Sequence, residues 1–311
     1  MKIRNILILV TSVIILAFVS FWIGQQAYSW LPPQAAAESI LIDDLFSFLV
    51  ALGAFIFLGV TGAIVYSIIF HRAAKYDISD GPHIEGNITL EVVWTVIPFV
   101  LVMWIAVYSY QIYDQMSIIG SEKIAHLNLP VGNKSVDLLS NSEKVQSIEN
   151  SGVENIESEK IEVIAKQWAW VFRYPEQNIT STELHLPVNR RASLALQSED
   201  VLHGFYIPAF RVKQDVIPFQ TIDFEFTPIR EGKYRLRDSQ YSGTYFAAMQ
   251  ADVVVESPEN YDRWLKAASN REPSPAPNQA ASEFARRSQR SSKSGWVTVI
   301  PAEPEKVNYH Q

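Results

Sequence analysis

Three long apolar stretches near the N-terminus constrain this chain more than any other feature of its sequence. They cover residues 6–24, 45–70 and 90–110, and the only charged residue in them is Glu91, at the start of the third stretch. Each stretch reaches the roughly 20 residues that a helix needs to cross a bilayer. The sequence therefore predicts a membrane protein in which residues 40–113 form a helical hairpin.

The first apolar stretch has two readings that the residues leave open. It follows Lys2 and Arg4 and precedes Gln34 and three alanines at positions 35–37. Basic residues before an apolar core and small residues after it are typical of an export signal, whereas the length of the core favours a retained anchor. Residues 1–37 are therefore predicted to be a signal peptide or a signal anchor.

The basic residues indicate which side of the membrane each segment occupies. The loop after the second stretch begins with His71 and Arg72 and contains Lys75, and the N-terminus is also basic. Cytoplasmic loops carry an excess of lysine and arginine, so the sequence predicts that everything after Tyr113 is exported. The formal net charge of −7 argues against nucleic acid as a partner, because a basic surface is needed to neutralise phosphates.

The exported part changes character along the chain. Residues 114–158 are rich in polar residues and show no sustained apolar period, so they are predicted to be a linker or insertion. Residues 159–257 contain short apolar runs broken by Pro, Gly and Asn, which is typical of a β-sandwich. In one run Asp223 and Glu225 alternate with apolar residues, which predicts a strand with one buried face. Residues 258–311 are predicted to be a flexible tail, in which residues 261–268 could form one short helix.

A segment before the last apolar strand has the frame of a metal-binding loop without most of its metal-binding side chains. It resembles the copper loop of subunit II of haem-copper respiratory oxidases, which has the pattern C-x-x-x-C-x-x-x-H-x-x-M with another histidine upstream. The matching positions are His203, Asp238, Gln240, Ser242, Phe246 and Met249. Asp238 and Ser242 stand where the cysteines stand, Phe246 replaces the second histidine, and Gln240 replaces a glutamate that often binds magnesium in relatives.

The chain contains no cysteine at any position, so no shift of the alignment can supply a thiolate. A dinuclear copper centre needs thiolate sulfurs and imidazole nitrogens, and neither a hydroxyl nor a phenyl ring can substitute for them. The pattern is similar to the quinol-oxidising branch of the family, which has lost this centre. The resemblance therefore implies that this subunit binds no cofactor and that electrons come from a membrane quinol.

Two further motifs carry the resemblance. Glu91, Trp94 and Pro98 match the signature E-x-x-W-T-x-x-P, in which the glutamate marks the mouth of a proton channel whose body lies in subunit I. A carboxylate at the edge of the hydrocarbon is costly enough to suggest a use. Trp168 matches a residue that faces subunit I and that receives the incoming electron in cytochrome c oxidases, although packing of a sandwich core also explains a large aromatic side chain there.

The resemblance implies an architecture and a set of partners. The expected fold is a membrane hairpin of two transmembrane helices, with the N-terminal segment as a third helix or a signal, followed by an all-β, cupredoxin-like sandwich. Haems, copper and the quinol site are expected in subunit I, and subunit III is expected as another partner. The complex is expected in the bacterial plasma membrane. Two alternatives stay open: a cytochrome c oxidase subunit II with a soluble electron donor, and a membrane-anchored, redox-inactive binding or assembly protein.

Overall fold

The structure is a computed structural model that describes residues 3–72, 86–118, 158–289 and 299–310. Contacts divide these residues into two compact units, one made of helices and one built on β-strands. Most of the predicted linker at residues 114–158 lies outside the described residues.

The helical unit accounts for the three apolar stretches. Its helices are α1 (Ile3–Gln26), α2 (Ala37–Phe70) and α3 (Ile88–Ile118). By length and composition, the spans Ile6–Trp30, Ala37–Phe70 and Ile88–Tyr113 are each able to cross a membrane. The prediction of apolar N-terminal helices is confirmed.

Small and aromatic residues pack the three helices together. The Ser47 hydroxyl donates a hydrogen bond to the carbonyl oxygen of Gly24 at 2.9 Å, and a Cβ at Gly24 would lie only 2.7 Å from the Cβ of Ala51. Between α2 and α3, the Phe48 ring meets the Trp104 ring edge-on, with centroids 5.1 Å apart. Small residues let membrane helices approach closely, which explains the contact at Gly24.

The second unit is a β-sandwich of two five-stranded sheets with the orders β3-β2-β1-β5-β8 and β4-β10-β9-β6-β7. The pairs β1–β5 and β4–β10 are parallel and the others are antiparallel. The strands are β1 (Glu159–Lys166), β2 (Ala169–Tyr174), β3 (Ile179–Ser181), β4 (Leu184–Pro187), β5 (Ala192–Ser198), β6 (His203–Ile207), β7 (Val212–Val216), β8 (Ile222–Phe226), β9 (Gly232–Asp238) and β10 (Gln250–Glu256). The predicted cupredoxin-like sandwich is confirmed.

Alternating burial along the strands builds the core between the sheets. In β8, Asp223 and Glu225 are exposed and Phe226 is fully buried, as the alternation predicted. The sequence shows residues 162–172 as one continuous run, but in the structure the chain turns at Gln167 and Trp168 and forms two strands. It forms the antiparallel pair β1–β2, so a turn stands where the sequence shows no Gly, Pro or Asn.

Gln34–Ser39, which include the first residues of α2, belong to the same unit as the sandwich and pack within it. The Ala35 N–H donates to the Ala209 carbonyl at 3.1 Å, and the Ala37 N–H donates to the Thr227 carbonyl at 3.0 Å. Ala35, Ala36 and Ala37 are all buried. Larger side chains would not fit this close backbone contact, so the run of alanines has a packing role in this structure.

The described part of the predicted tail is folded, so the prediction of a flexible tail is wrong for these residues, although the short helix expected at residues 261–268 is present. Helix α4 (Pro258–Ser269) buries Tyr261 and Trp264, and helix α5 (Gln279–Ser288) buries Ala280. A short pair follows between β11 (Ser274–Pro275) and β12 (Lys306–Val307). This segment is polar overall, but it contains a few large apolar residues whose spacing lets one face of a helix pack on the sandwich.

Candidate functional site

The histidine predicted as a former copper ligand is buried between two carboxylates. His203 opens β6 and is 0% exposed. Its Nδ1 lies 2.9 Å from Asp238 Oδ2, and its Nε2 lies 2.9 Å from Asp200 Oδ1. Both ring nitrogens therefore face carboxylate oxygens, an arrangement that favours the imidazolium form of His203, since only that form donates from both nitrogens.

Asp238 is the centre of this network. It ends β9, and its Oδ1 accepts hydrogen bonds from the backbone N–H of Gly204 at 2.8 Å and of Gln240 at 3.0 Å. Its Oδ2 accepts from the Ser242 hydroxyl at 2.7 Å as well as from His203. A carboxylate with this many donors is stable in its ionised form despite burial.

The charges in the network shift the pKa values of its members in opposite directions. Burial alone would lower the pKa of His203, but the hydrogen bonds to Asp200 and Asp238 outweigh it and raise that pKa. Burial alone would raise the pKa of both carboxyls, but the hydrogen bonds from His203 and from nearby donors lower them. Both directions of shift favour one imidazolium between two carboxylates.

A glycine allows the loop after β9 to close on β6. The Gly204 carbonyl accepts a hydrogen bond from the Ser239 N–H at 2.9 Å. A Cβ on Gly204 would lie 3.0 Å from the backbone nitrogen of Gln240 and closer still to the Ser239 hydroxyl. The absence of a side chain at this position therefore brings the loop within reach of His203.

The other predicted positions have separate environments. Met249 is buried, and its carbonyl accepts from the Asp238 N–H at 3.1 Å. Phe246 is half-buried and lies edge-on to the ring of Tyr241, with centroids 5.2 Å apart. The Gln240 amide donates to Asp215 Oδ1 at 2.8 Å. The structure thus brings together the side chains of His203, Asp238 and Ser242. The side chains of Gln240, Phe246 and Met249 instead serve packing or other hydrogen bonds.

The residues at this site do not fit a dinuclear copper centre. No sulfur thiolate is encoded, and both nitrogens of His203 already bind carboxylates. The described residues contain no group of three histidine, aspartate or glutamate side chains arranged to hold a metal ion. The loop keeps the family frame and replaces metal–ligand bonds with a hydrogen-bonded ion network.

Trp168 lies next to this loop and is buried by its own chain. It is 2% exposed, and its indole N–H donates to the Ser242 carbonyl at 3.1 Å. The Gln167 amide donates to the same carbonyl at 2.6 Å. The Tyr245 ring meets the Trp168 ring edge-on, with centroids 5.2 Å apart.

Glu91 belongs to the helical unit, in the first turn of α3. It is exposed, and its backbone N–H donates to the Asn87 carbonyl at 3.0 Å. Its carboxylate lies against Gly86, where a Cβ would come within 2.8 Å of Oε1. Pro98 lies inside the same helix, and Trp94 is largely exposed.

Sequence reasoning missed two features of the sandwich. Asp200 is the second partner of His203, and the only signal for it was an acid three residues before the histidine. His185 is the other: it is buried with its nitrogens 3.3 Å from Glu183 and Glu256, and its ring stacks on Trp264 at 4.0 Å. That cluster anchors α4, and no sequence motif pointed to it.

The fold and site together define a class of protein: a membrane-anchored subunit with an extracytoplasmic, cupredoxin-like domain. The family model described as the transmembrane domain of cytochrome c oxidase subunit II matches residues 21–112, and the model of its periplasmic domain matches residues 179–257. Both models match in the order and position that the structure shows.

Two relatives and one solved structure illustrate the similarity. The chain is 32% identical to cytochrome c oxidase subunit 2 of Synechocystis over 292 residues, covering 90% of this chain and 86% of the relative. It is 26% identical to quinol oxidase subunit 2 of Bacillus subtilis, covering 78% of this chain and 65% of the relative. The solved periplasmic domain of cytochrome oxidase subunit II of Bradyrhizobium japonicum is 25% identical, with a TM-score of 0.33, and covers 34% of this chain and 90% of that one.

The chain belongs to the subunit II family of haem-copper oxidases. It is therefore a subunit of a terminal oxidase complex and a membrane protein with its C-terminal domain outside the cytoplasm.

Proposed function

We propose that this chain is subunit II of a quinol oxidase, in which a membrane quinol supplies electrons to subunit I for the reduction of oxygen to water. The proposal rests on the side chains in the loop at residues 238–249, which matches the copper loop of relatives and is called the former copper loop below. His203 is held by Asp200 and Asp238, and the positions of the two thiolates are Asp238 and Ser242. A soluble one-electron donor would have no metal relay in this subunit.

Overall identity does not decide between quinol and cytochrome c as donor. The relative from Synechocystis is named as a cytochrome c oxidase subunit and the relative from Bacillus subtilis as a quinol oxidase subunit. The distinction depends on a few ligands within one loop, whereas identity is averaged over some 250 to 300 aligned residues. The chemistry of the loop is therefore the better guide to the donor.

The proposed complex places each cofactor outside this chain. Haems, the oxygen-reducing copper and the quinol site belong to subunit I, and subunit III completes the assembly. This subunit contributes an extracytoplasmic domain and a proton-uptake group. Glu91 has that role because it is an exposed carboxylate at the start of α3, on the side that the basic residues assign to the cytoplasm.

A direct donor assay tests the proposal. The purified complex is given a reduced short-chain quinol or reduced cytochrome c, and oxygen consumption is followed with each donor. We expect rapid turnover with quinol and negligible turnover with cytochrome c. Metal analysis of the same preparation should find only the copper that belongs to subunit I.

The opposite donor preference would support the alternative, a cytochrome c oxidase subunit II fed by a soluble donor. Two copper ions bound to this chain, or the near-infrared absorption of mixed-valence copper, would contradict the quinol oxidase proposal outright.

A further inference from the structure

A segment beyond the matched periplasmic domain lies across the side of the sandwich that carries the former copper loop. This C-terminal strap is defined as α5 together with residues 299–310. The family model ends at residue 257, so the strap lies outside the part of the chain that the model covers. The strap differs from α4, which packs over His185.

The strap is tied to the sandwich at its end. Val307 is fully buried, and β12 pairs with β11. The Thr182 N–H donates to the Tyr309 carbonyl at 3.2 Å, and the Asn308 N–H donates to the Thr180 carbonyl at 2.8 Å. These backbone bonds extend the edge strand β3, which holds the strap in register.

The middle of the strap contacts the turn between β1 and β2. The Ala302 N–H donates to the Gln167 carbonyl at 2.6 Å, which is the residue directly before Trp168. Glu305 forms an ion pair with Lys166, and Lys166 also lies 3.0 Å from Glu199. The Lys166 side chain in this ion pair is only 14% exposed. The pair therefore contributes more to the stability of the fold than a solvent-exposed pair would.

Helix α5 contacts the loop from the other side. The Arg287 guanidinium lies over the ring of Tyr245, 5.8 Å from its centroid. Tyr245 in turn lies edge-on to Trp168, and these two aromatic residues are 5% and 2% exposed. The strap therefore contacts two neighbours of Trp168: Ala302 bonds to Gln167, and Arg287 lies over Tyr245.

We propose that the C-terminal strap closes the aromatic surface of Trp168 and Tyr245 and thereby excludes soluble proteins from this side of the domain. Exposed tryptophan and tyrosine side chains are favoured anchors for protein partners, because they bury a large area at low entropic cost. Here the chain itself occupies that area. This closure deepens the proposed function and rests on it in one respect: an oxidase that takes its electrons from a membrane quinol needs no docking site for a soluble donor at this surface.

Hydroxyl-radical labelling of the full-length chain in detergent, without subunit I, tests the proposal when it is read by mass spectrometry, because no other subunit can then cover Trp168. The opened variant carries Arg287→Ala and Glu305→Ala. The matched control carries Arg286→Ala and Glu303→Ala, which also removes one cation and one anion, and both of these side chains are exposed. We expect labelling of Trp168 to rise at least about threefold in the opened variant and to stay at the wild-type level in the control.

A second variant keeps the test informative if the first variant fails to fold. Ala302→Pro removes the backbone N–H that bonds to Gln167 and should raise labelling of Trp168 in the same way. Equal protection of Trp168 in the wild type and in the opened variants would overturn the proposal. Strong labelling of Trp168 in the wild type would overturn it as well.

A parallel assay on the assembled oxidase separates this inference from the proposed function. Quinol-driven oxygen consumption is measured in complexes that carry the same variants, and we expect it to be retained in the opened variants. A complex that oxidises no quinol would refute the proposed donor but would leave the labelling pattern, and hence the closure by the strap, intact.

Discussion

Replacing Asp238 by asparagine should destabilise the sandwich and change how its stability depends on pH. The side chain of Asp238 is fully buried, as is that of His203, 2.9 Å away. Asparagine has nearly the same shape, and its carbonyl oxygen can still accept from the Gly204 N–H. It carries no charge, however, so the imidazolium of His203 keeps only Asp200 as its counterion.

The magnitude follows from the burial of the pair. Breaking a buried ion pair by removing one partner costs about 3–5 kcal/mol, because the remaining charge is left without compensation. For a domain of this size, each kcal/mol lowers the unfolding temperature by about 2–4 °C. The Asp238→Asn variant should therefore unfold about 6–20 °C below the wild type at pH 6.

The pKa shifts also set the pH window of this stabilisation. The pKa of His203 is raised, so its contribution is complete below the ordinary histidine pKa of about 6.5 and is lost as the pH rises through the folded value. The pKa values of Asp200 and Asp238 are lowered, so their contribution is complete above about pH 4 and is lost as the pH falls through the folded values. The network should stabilise the wild type most between about pH 4 and 6.5.

Thermal unfolding of the full-length chain in detergent, followed by tryptophan fluorescence from pH 4 to 10, measures both effects. Trp170 reports locally, since its ring centroid lies 6.2 Å from that of His203. The control is Asp223→Asn, an exposed acid on β8, which should change the free energy of unfolding by less than about 0.5 kcal/mol. An Asp238→Asn variant with wild-type stability and a wild-type pH profile would refute the ion network.

Two further predictions concern the anchor of α4 and the helical unit. Trp264→Ala removes a buried ring that stacks on His185, and it should lower the free energy of unfolding by about 3–5 kcal/mol in the same thermal assay; an effect no larger than that of the exposed Asp262→Ala would contradict this. Glu91→Gln should lower quinol-driven oxygen consumption about tenfold, because proton uptake through one channel would lose its acceptor. The exposed Glu176→Gln serves as its control, and equal rates for both variants would remove Glu91 from the proton path.

The sequence alone predicted the features that depend on local pattern or on composition. The apolar stretches at residues 45–70 and 90–110 were sufficient for a membrane hairpin, because hydrocarbon admits only backbone that satisfies its own hydrogen bonds. The alternation around Asp223 was sufficient for a strand with one wet face. The count of cysteines was sufficient to exclude thiolate ligands, because a count needs no coordinates.

Tertiary structure decided the features that join distant residues. Asp200 and Asp238 are 38 residues apart in the chain, yet both bind His203, and nothing in their spacing identifies them as a pair. Gln167 and Trp168 interrupt an apolar run without a turn residue, because the hairpin β1–β2 is set by pairing with other strands. Residues 258–289 and 299–310 look polar in sequence but fold, since a few side chains such as Trp264 find buried partners far away. Long-range contacts of this kind depend on which strands become neighbours, and that is a property of the whole domain.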